Sequence, residues 1–203
     1  MQGANNAQIR GMLTAKHCGA NEDWYTPAGK YIGASNLNTT NSDITGLMWT
    51  TTTPGYPGFR GRIYYGSYTS NDTGGMAGSG SPIFDELQCM SGSYSGAVCS
   101  NRVFQRNYYD ESLNGGPMHV TRQVNDVAAA GNGDSGGPNY FLGSQQRRAR
   151  GVITAISIAD EDVRDCRGVP SDPPDRVCSR IVLSTTLQPF LNATATLVTT
   201  NPY

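Results

Sequence analysis

A short glycine-rich run, Gly131 to Pro138, carries the residue best suited to chemistry. It reads GNGDSGGP, with a serine, an acid and four glycines in eight residues. Glycine lacks the Cβ that keeps backbone amides apart, so the N–H groups of Gly133 and Ser135 can converge on a developing oxyanion. A serine hydroxyl is a weak nucleophile and needs a base to take its proton. The run therefore predicts Ser135 as a nucleophile and requires a histidine elsewhere.

Two histidines are available as that base. His17 follows an apolar, β-prone run in MLTAKHC, which predicts a strand that ends just before the imidazole. His119 lies in GGPMHVTRQV without such a pattern, and we interpret it as a packing or surface residue. An acid, Asp43, begins a second β-prone run in NSDITGLM. The sequence thus predicts His17 as base, Asp43 as orienting acid and Ser135 as nucleophile.

Three alternatives compete with this interpretation. The glycine-rich run also fits the G-x-S-x-G turn of α/β-hydrolases, in which the acid and then the histidine follow the serine. No histidine follows Ser135, so the chain order argues against that fold. The run is otherwise a plain glycine-rich turn, and Asp23 and Asp72 are weaker alternatives to Asp43 as the acid. Three matching segments in the right order favour the catalytic interpretation.

The composition predicts an all-β protein with a small net charge. Charged residues make up 15% of the 203 residues, and the formal net charge is −1. No basic run is longer than Arg147-Arg148. We therefore expect neither nucleic acid nor a membrane surface as a partner. No apolar run approaches the roughly 20 residues that span a bilayer, and no metal site or cofactor is predicted.

The five cysteines include two pairs that are close in sequence. Cys89 with Cys99 and Cys166 with Cys178 each bracket a turn-rich loop, and neither pair has histidines at metal-binding spacing. Such pairs predict disulfides formed in an oxidising compartment, and hence secretion. Each should stabilise the fold by roughly 3 kcal/mol. Cys18 is then left as a free thiol.

The chain divides into three regions by its pattern. Residues 54–82 are rich in Gly, Pro, Ser and Tyr, and we interpret them as a crossing between an N-terminal half, 1–53, and a C-terminal half, 83–203. The acidic, proline-containing segment 159–179 is expected to be a surface excursion. Strands are predicted over 11–15, 31–33, 43–53, 62–68, 86–91, 97–105, 118–127, 139–142, 150–158 and 180–186, and a short helix over 185–196.

Four segments of the chain resemble one known family. TAKHC, SDI and GNGDSGGP resemble the three signature segments of chymotrypsin-like serine proteases, and CMSGSYSGAVC closely resembles the disulfide hairpin of secreted bacterial, streptogrisin-like members. The resemblance runs from about Gly11 to the C-terminus. It implies two antiparallel six-stranded β-barrels, with His17 and Asp43 on the first and Ser135 on the second. It also implies an extracellular endopeptidase that cleaves protein or peptide substrates through an acyl-enzyme, as a monomer and without a cofactor. A non-catalytic, protease-like binding module is the alternative.

The same resemblance assigns a structural role to Asp134. In the family, this acid is buried and its ion pair shapes the oxyanion hole. Its partner in streptogrisin-like relatives is an arginine just after the first hairpin cysteine, where this chain has Met90. Arg102 and Arg122 are the substitutes that we consider.

A neutral specificity pocket also follows from the resemblance. A pocket narrowed by Ile156 would favour small or medium apolar side chains before the scissile bond. If the loop before the serine is longer than in relatives, Asp126 instead reaches the pocket base and selects Lys or Arg. The expected pocket residues are Val127, Ala128, Ala129, Ala130, Thr154, Ala155 and Ile156.

The N-terminal half is predicted to be an incomplete barrel. In the family, two strands precede the histidine segment, and one of them carries the cysteine that bonds the residue after the histidine. Sixteen residues precede His17 here and none is a cysteine. This is too short for two strands of about five or six residues with their connections. The expectation is therefore a truncated, poorly stable chain of weak or no activity.

Overall fold

The protein consists almost entirely of β-strands. The computed structural model describes residues 9–26, 28–50, 55, 58–113, 116–143, 146–169, 175–198 and 200. The strands are β1 (Ile9–Ala15), β2 (Asp23–Tyr25), β3 (Tyr31–Asn38), β4 (Ile44–Thr50), β5 (Arg62–Tyr64), β6 (Thr73–Ser79), β7 (Leu87–Gly92), β8 (Gly96–Tyr108), β9 (Met118–Gln123), β10 (Ala130–Gly131), β11 (Pro138–Leu142), β12 (Arg147–Ile156), β13 (Cys178–Ser179) and β14 (Ile181–Thr186), followed by helix α1 (Leu187–Thr194). The predicted all-β class is confirmed.

The N-terminal half forms one antiparallel sheet with the strand order β1-β4-β3-β2. Strands β1 and β4 pair along seven residues, from Ile9 opposite Thr50 to Ala15 opposite Ile44. Ala15, Ile44 and Leu47 are completely buried and anchor the sheet. Within the described part of the chain this half thus contributes four strands, fewer than the six of a complete barrel. How this affects stability and activity stays a prediction.

The C-terminal half is a closed antiparallel barrel of six strands in the order β11-β7-β8-β9-β14-β12, because β11 also pairs with β12. Closure leaves these strands without a free edge. Two further strands, β6 and β5, extend the sheet from β12, and the β6–β12 pair is parallel. The barrel that must hold the serine loop is therefore the more completely paired part of the molecule.

A polar side chain, His119, lies at the centre of the barrel and is fully buried. Its Nε2 atom lies 3.1 Å from both Gln88 Oε1 and Asn139 Nδ2, and its Nδ1 atom lies 3.2 Å from Thr186 Oγ1. Burial disfavours the charged imidazolium and lowers the pKa of His119 to about 3. His119 is thus a neutral core residue, which selects packing from the two alternatives, packing or surface, that the sequence left open.

All ten predicted strands are found at least in part, whereas four observed strands, β2, β6, β10 and β13, were not predicted. The segment 54–82, predicted as a crossing, contributes β5 and β6 to the second sheet. Strand β6 reads TGGMAGS, and its glycines hide its strand character from any propensity argument. Residues 51–53 of one predicted strand lie outside the described residues. The three domain boundaries stay a prediction. No helix in the described ranges is long and apolar enough to cross a membrane.

Candidate active site

The pairing of β1 with β4 brings His17 and Asp43 into direct contact. Ala15 ends β1 opposite Ile44, where β4 begins. Lys16, which follows β1, and Asp43, which precedes β4, therefore lie side by side. A short 3-10 turn, Lys16–Cys18, then carries the imidazole. The His17 amide donates to Asp43 Oδ1 at 3.0 Å, and His17 Nδ1 lies 2.7 Å from Asp43 Oδ2. Both carboxylate oxygens are therefore engaged by one histidine.

The electrostatics of this pair stabilise the protonated form of His17. The Asp43 side chain is 4% exposed and that of His17 is 46% exposed. The hydrogen bond to Asp43 is the main cause that raises the pKa of His17 above its ordinary value. Because the carboxylate accepts the proton on Nδ1, the neutral ring keeps the lone pair of Nε2 free to take a proton.

The serine loop contacts β1, the strand that ends two residues before His17. The Gly136 amide donates to Ile153 O at 2.9 Å, and the Ile153 amide donates to Gly137 O at 2.9 Å, so β12 holds the loop. Gly136 has φ of +84°, and a Cβ added there would collide with the Thr14 hydroxyl of β1. Glycine is therefore required where the two halves meet.

Ser135 itself is half-buried in this loop. Among the described residues no hydrogen bond joins Ser135 to His17, whose ring contacts Asp43 instead. Catalytic hydrogen bonds are often long in the free enzyme and tighten when substrate binds. The structure thus joins two of the three predicted residues directly and brings the loop of the third against the end of β1, two residues before His17.

Gly133 occupies a conformation that only glycine adopts easily. Its φ is +90°, and a Cβ there would lie 2.6 Å from the Tyr94 ring. The Ser93 hydroxyl donates to Gly133 O at 2.7 Å and so fixes the following peptide. The predicted use of the Gly133 and Ser135 amides as oxyanion donors is compatible with this backbone and stays a prediction.

Asp134 is completely buried and is held by several donors. The backbone amides of Tyr94 and Ser95 each donate to its Oδ1 atom at 2.9 Å. The Gly131 amide donates to Oδ2 at 2.8 Å, and Arg176 Nη2 lies 3.2 Å from the same oxygen. This carboxylate connects the serine loop to the β7–β8 hairpin.

The partner of Asp134 is therefore Arg176, and both substitutes considered from the sequence are wrong. Arg102 pairs with the exposed Asp85 at 3.4 Å. Arg122 lies over the Phe104 ring, with its Cζ atom 5.0 Å from the ring centre. Arg176 comes from the segment 159–179, which carries no strand pattern. No signal in the sequence indicates that its arginine reaches a buried acid.

The expected pocket residues lie on two neighbouring parts of the chain, the residues that lead into β10 and the end of β12. Ala129 and Ala130 belong to one buried apolar cluster, and Ile156 packs against it. Thr154 Oγ1 lies 2.7 Å from Thr185 Oγ1, in the barrel wall. Val127 and Ala155 are half-buried, and Ala128 is buried.

Asp126, the alternative pocket acid, lies outside this cluster. Its side chain is 63% exposed and pairs with Arg164 and Arg180, each at 2.6 Å. Hydrogen bonds from these two arginines lower the pKa of Asp126. Its charge is thus engaged by two cations on the surface.

The cysteines pair as predicted. Disulfides join Cys89 to Cys99 and Cys166 to Cys178, and Cys18 is free and exposed. The second disulfide lies directly against the serine loop, because a Cβ on Gly131 would collide with the Cys178 sulfur. It therefore supports the segment that carries Asp134.

Comparison with known proteins identifies the fold. No model of a known protein family matches the chain, and no curated protein matches it. Among solved structures, it is similar to a serine protease specific for glutamic acid, with 19% identity, a TM-score of 0.63, and coverage of 97% of this chain and 89% of that one. It is also similar to Thermobifida fusca protease A, with 20% identity, a TM-score of 0.58, and coverage of 95% and 86%. Cellulomonas bogoriensis chymotrypsin gives 22% identity, a TM-score of 0.58, and coverage of 93% and 85%. The closed barrel, the adjoining sheet and these likenesses together show that the chain has the fold of the bacterial chymotrypsin-like serine proteases.

Proposed function

We propose that the protein is a secreted serine endopeptidase with His17, Asp43 and Ser135 as its catalytic residues. The observation that carries this proposal is the 2.7 Å contact between His17 Nδ1 and Asp43 Oδ2, just beyond the end of β1, the strand that contacts the serine loop. The fold adds support because its structural neighbours are serine proteases. The two disulfides support an extracellular location.

The reaction begins with attack of Ser135 Oγ on a peptide carbonyl carbon while His17 Nε2 takes the hydroxyl proton. A C–O bond forms and the carbonyl oxygen becomes an oxyanion. When this intermediate collapses, the C–N bond breaks and His17 gives its proton to the departing amine. Water repeats the sequence on the acyl-enzyme and restores Ser135. Asp43 keeps the ring oriented and stabilises its protonated form throughout.

The amides of Gly133 and Ser135 stabilise the oxyanion in this mechanism. Each such donor typically lowers the barrier by about 3 kcal/mol. The ion pair of Asp134 and Arg176 supports the role because both residues are almost completely buried and adjoin Gly133. A charge pair of this kind holds a loop rigidly, since either partner alone is costly to bury.

The pocket favours small or medium apolar side chains before the scissile bond. The alanines before the serine loop supply no charge, and Ile156 packs against the same apolar cluster. The ion pairs of Asp126 with Arg164 and Arg180 favour this neutral pocket over selection of Lys or Arg. The glutamic-acid-specific protease uses a histidine triad in substrate binding. This chain has two histidines in all and cannot form such a triad.

Hydrolysis of a protein substrate tests the proposal. Purified protein should release peptides from denatured casein, and Ser135→Ala should abolish this release. Ser67→Ala is a matched control because Ser67 is exposed and remote from the serine loop in the sequence. Hydrolysis by Ser135→Ala at the rate of the wild type would refute Ser135 as the nucleophile.

A further inference from the structure

The disulfide-closed segment between Cys166 and Cys178 is joined to the serine loop by backbone pairing. Strand β13 pairs with β10, so that Cys178 lies opposite Gly131. The Asn132 amide donates to Val177 O at 3.0 Å, and the Val177 amide donates to Asn132 Oδ1 at 2.8 Å. The last residues of the segment thus run along the residues that lead to Gly133.

Arg176 forms hydrogen bonds with the serine loop on both sides of Gly133. Its Nε atom donates to Asn132 O at 3.0 Å, and its Nη2 atom donates to Asp134 Oδ2 at 3.2 Å. The same Nη2 atom donates to Ser95 Oγ at 2.8 Å. The Arg176 side chain is 3% exposed. One guanidinium therefore fixes the residues immediately before and after the predicted oxyanion donor.

The guanidinium is in turn fixed by its own segment and by the hairpin. Its Nη1 atom donates to Arg167 O at 2.7 Å and to Val169 O at 3.4 Å. Its Cζ atom lies 5.5 Å from the centre of the Tyr94 ring, which is the ring that contacts Gly133. Arginine presents several donors in a rigid planar fork, and a lysine could not make these contacts together.

We propose that the Cys166–Cys178 disulfide controls the oxyanion hole by holding Arg176, a positioning residue, on the serine loop. This inference rests on the proposed function. Cys178 lies two residues after Arg176, so its covalent closure to Cys166 limits how far Arg176 can move from the loop. Without the disulfide, the ion pair alone must keep Arg176 on the loop, and its occupancy falls. Catalytic competence then depends on a disulfide that touches no substrate.

The expected effect is a loss of kcat with little change in KM, because the oxyanion donors act in the transition state. Arg176→Gln should lower kcat by about 100- to 1,000-fold, as does the loss of one oxyanion donor. Arg176→Lys should recover part of it by restoring the charge without the fork. The double variant Cys166→Ser/Cys178→Ser should lower kcat in the same way. Adding Arg176→Gln to that double variant should lower it little further, because both changes remove one interaction.

The control is a core variant of similar cost away from the serine loop. Leu191→Ala removes a buried side chain of α1, and such a truncation costs about 2–5 kcal/mol, comparable to the loss of a disulfide. It should lower the melting temperature while kcat of the folded fraction stays within about threefold of the wild type. Equal kcat losses in Leu191→Ala and in the disulfide variant would overturn the proposal, because they would indicate general destabilisation.

Two further measurements keep the test decisive. If Arg176→Gln fails to fold, Asp134→Asn/Arg176→Gln removes both buried charges together and should fold with the same loss of kcat. Hydrogen exchange of the peptide 131–137 should be faster in Arg176→Gln than in the wild type, and this readout needs no activity. A folded Arg176 variant with unchanged kcat and unchanged exchange would overturn the proposal. A wild-type protein without any hydrolysis would instead refute the proposed function, and the exchange result would still decide the role of Arg176.

Discussion

The two histidines of this protein lie in its two halves and have opposite environments. His17 follows the strand β1 of the four-stranded sheet, has a 46% exposed side chain and contacts a buried carboxylate. His119 lies inside the closed barrel, is fully buried and is hydrogen-bonded to neutral amide and hydroxyl groups. The pKa of His17 is raised and that of His119 is lowered. The first environment stabilises a charged ring, and the second keeps an uncharged ring in the core.

This difference shows how one residue type acquires a catalytic or a structural role. In the proposed mechanism, exposure of one ring edge allows His17 to exchange protons with substrate, and Asp43 compensates the charge that results. Protonation of His119 is opposed by desolvation and by the positive charges of Arg150 and Arg106. The histidine of the N-terminal sheet is therefore stabilised in its charged form, and the histidine of the barrel stays neutral.

Removing the carboxylate from the first environment should have the largest effect. Asp43→Asn leaves the shape of the pair but no longer enforces the tautomer of His17. We expect kcat at pH 7 to fall by about 10⁴-fold. Steady-state hydrolysis of a peptide substrate measures this loss. A loss below about tenfold would mean that Asp43 is not the orienting acid.

The pH profile of the same variant tests the sign of the interaction. Asp43 raises the pKa of His17, and His17 must be neutral to act as base, so the activity of the wild type should fall on acidification. In Asp43→Asn the acidic limb of kcat/KM should move to lower pH. A limb that stays in place would separate the pH dependence from the His17–Asp43 pair.

The barrel histidine should make stability depend on acid. The pKa of His119 is about 3 in the folded protein and about 6.5 in the unfolded chain. Below pH 6.5 the unfolded state therefore binds the extra proton, and stability present above that pH is lost progressively toward pH 3. The free energy of unfolding should fall by about 1.4 kcal/mol per pH unit in this window.

His119→Gln is the comparison variant for this measurement, because glutamine keeps hydrogen-bonding groups and does not titrate. Urea unfolding at several pH values should give a shallower decline for the variant than for the wild type. Parallel curves would show that His119 does not cause the loss of stability in acid. The environments of the two histidines would then have no measurable effect on the pH dependence of stability.

Sequence reasoning recovered this contrast in part. Strands with β-branched and alternating residues, such as β12 and β14, were predictable, and so was the pairing of His17 with Asp43 from their flanking segments. The catalytic role of Ser135 stays a prediction. Strand β6 was not predictable, because its glycines carry no strand preference. The contacts of His119 with Gln88 and of Arg176 with Asp134 could not be predicted either, since each joins residues more than 30 positions apart without a local pattern.

A smaller effect is expected at the wall of the proposed pocket. Ile156→Gly removes the side chain that packs on the apolar cluster of Ala129 and Ala130. The ratio of kcat/KM for Phe over Ala before the scissile bond should rise by about 10- to 100-fold. Profiling with a peptide library that also contains Leu and Arg measures the change. A wild-type preference for Arg would contradict the neutral pocket itself.

The most direct test of the account is covalent labelling of Ser135. A fluorophosphonate probe reacts with a serine that has an activated hydroxyl and an assembled oxyanion hole. After labelling at neutral pH, mass spectrometry should find the adduct on the peptide that contains Ser135, and His17→Ala should prevent it. An adduct on another serine, or no adduct on folded protein, would contradict the account and favour a non-catalytic, protease-like protein.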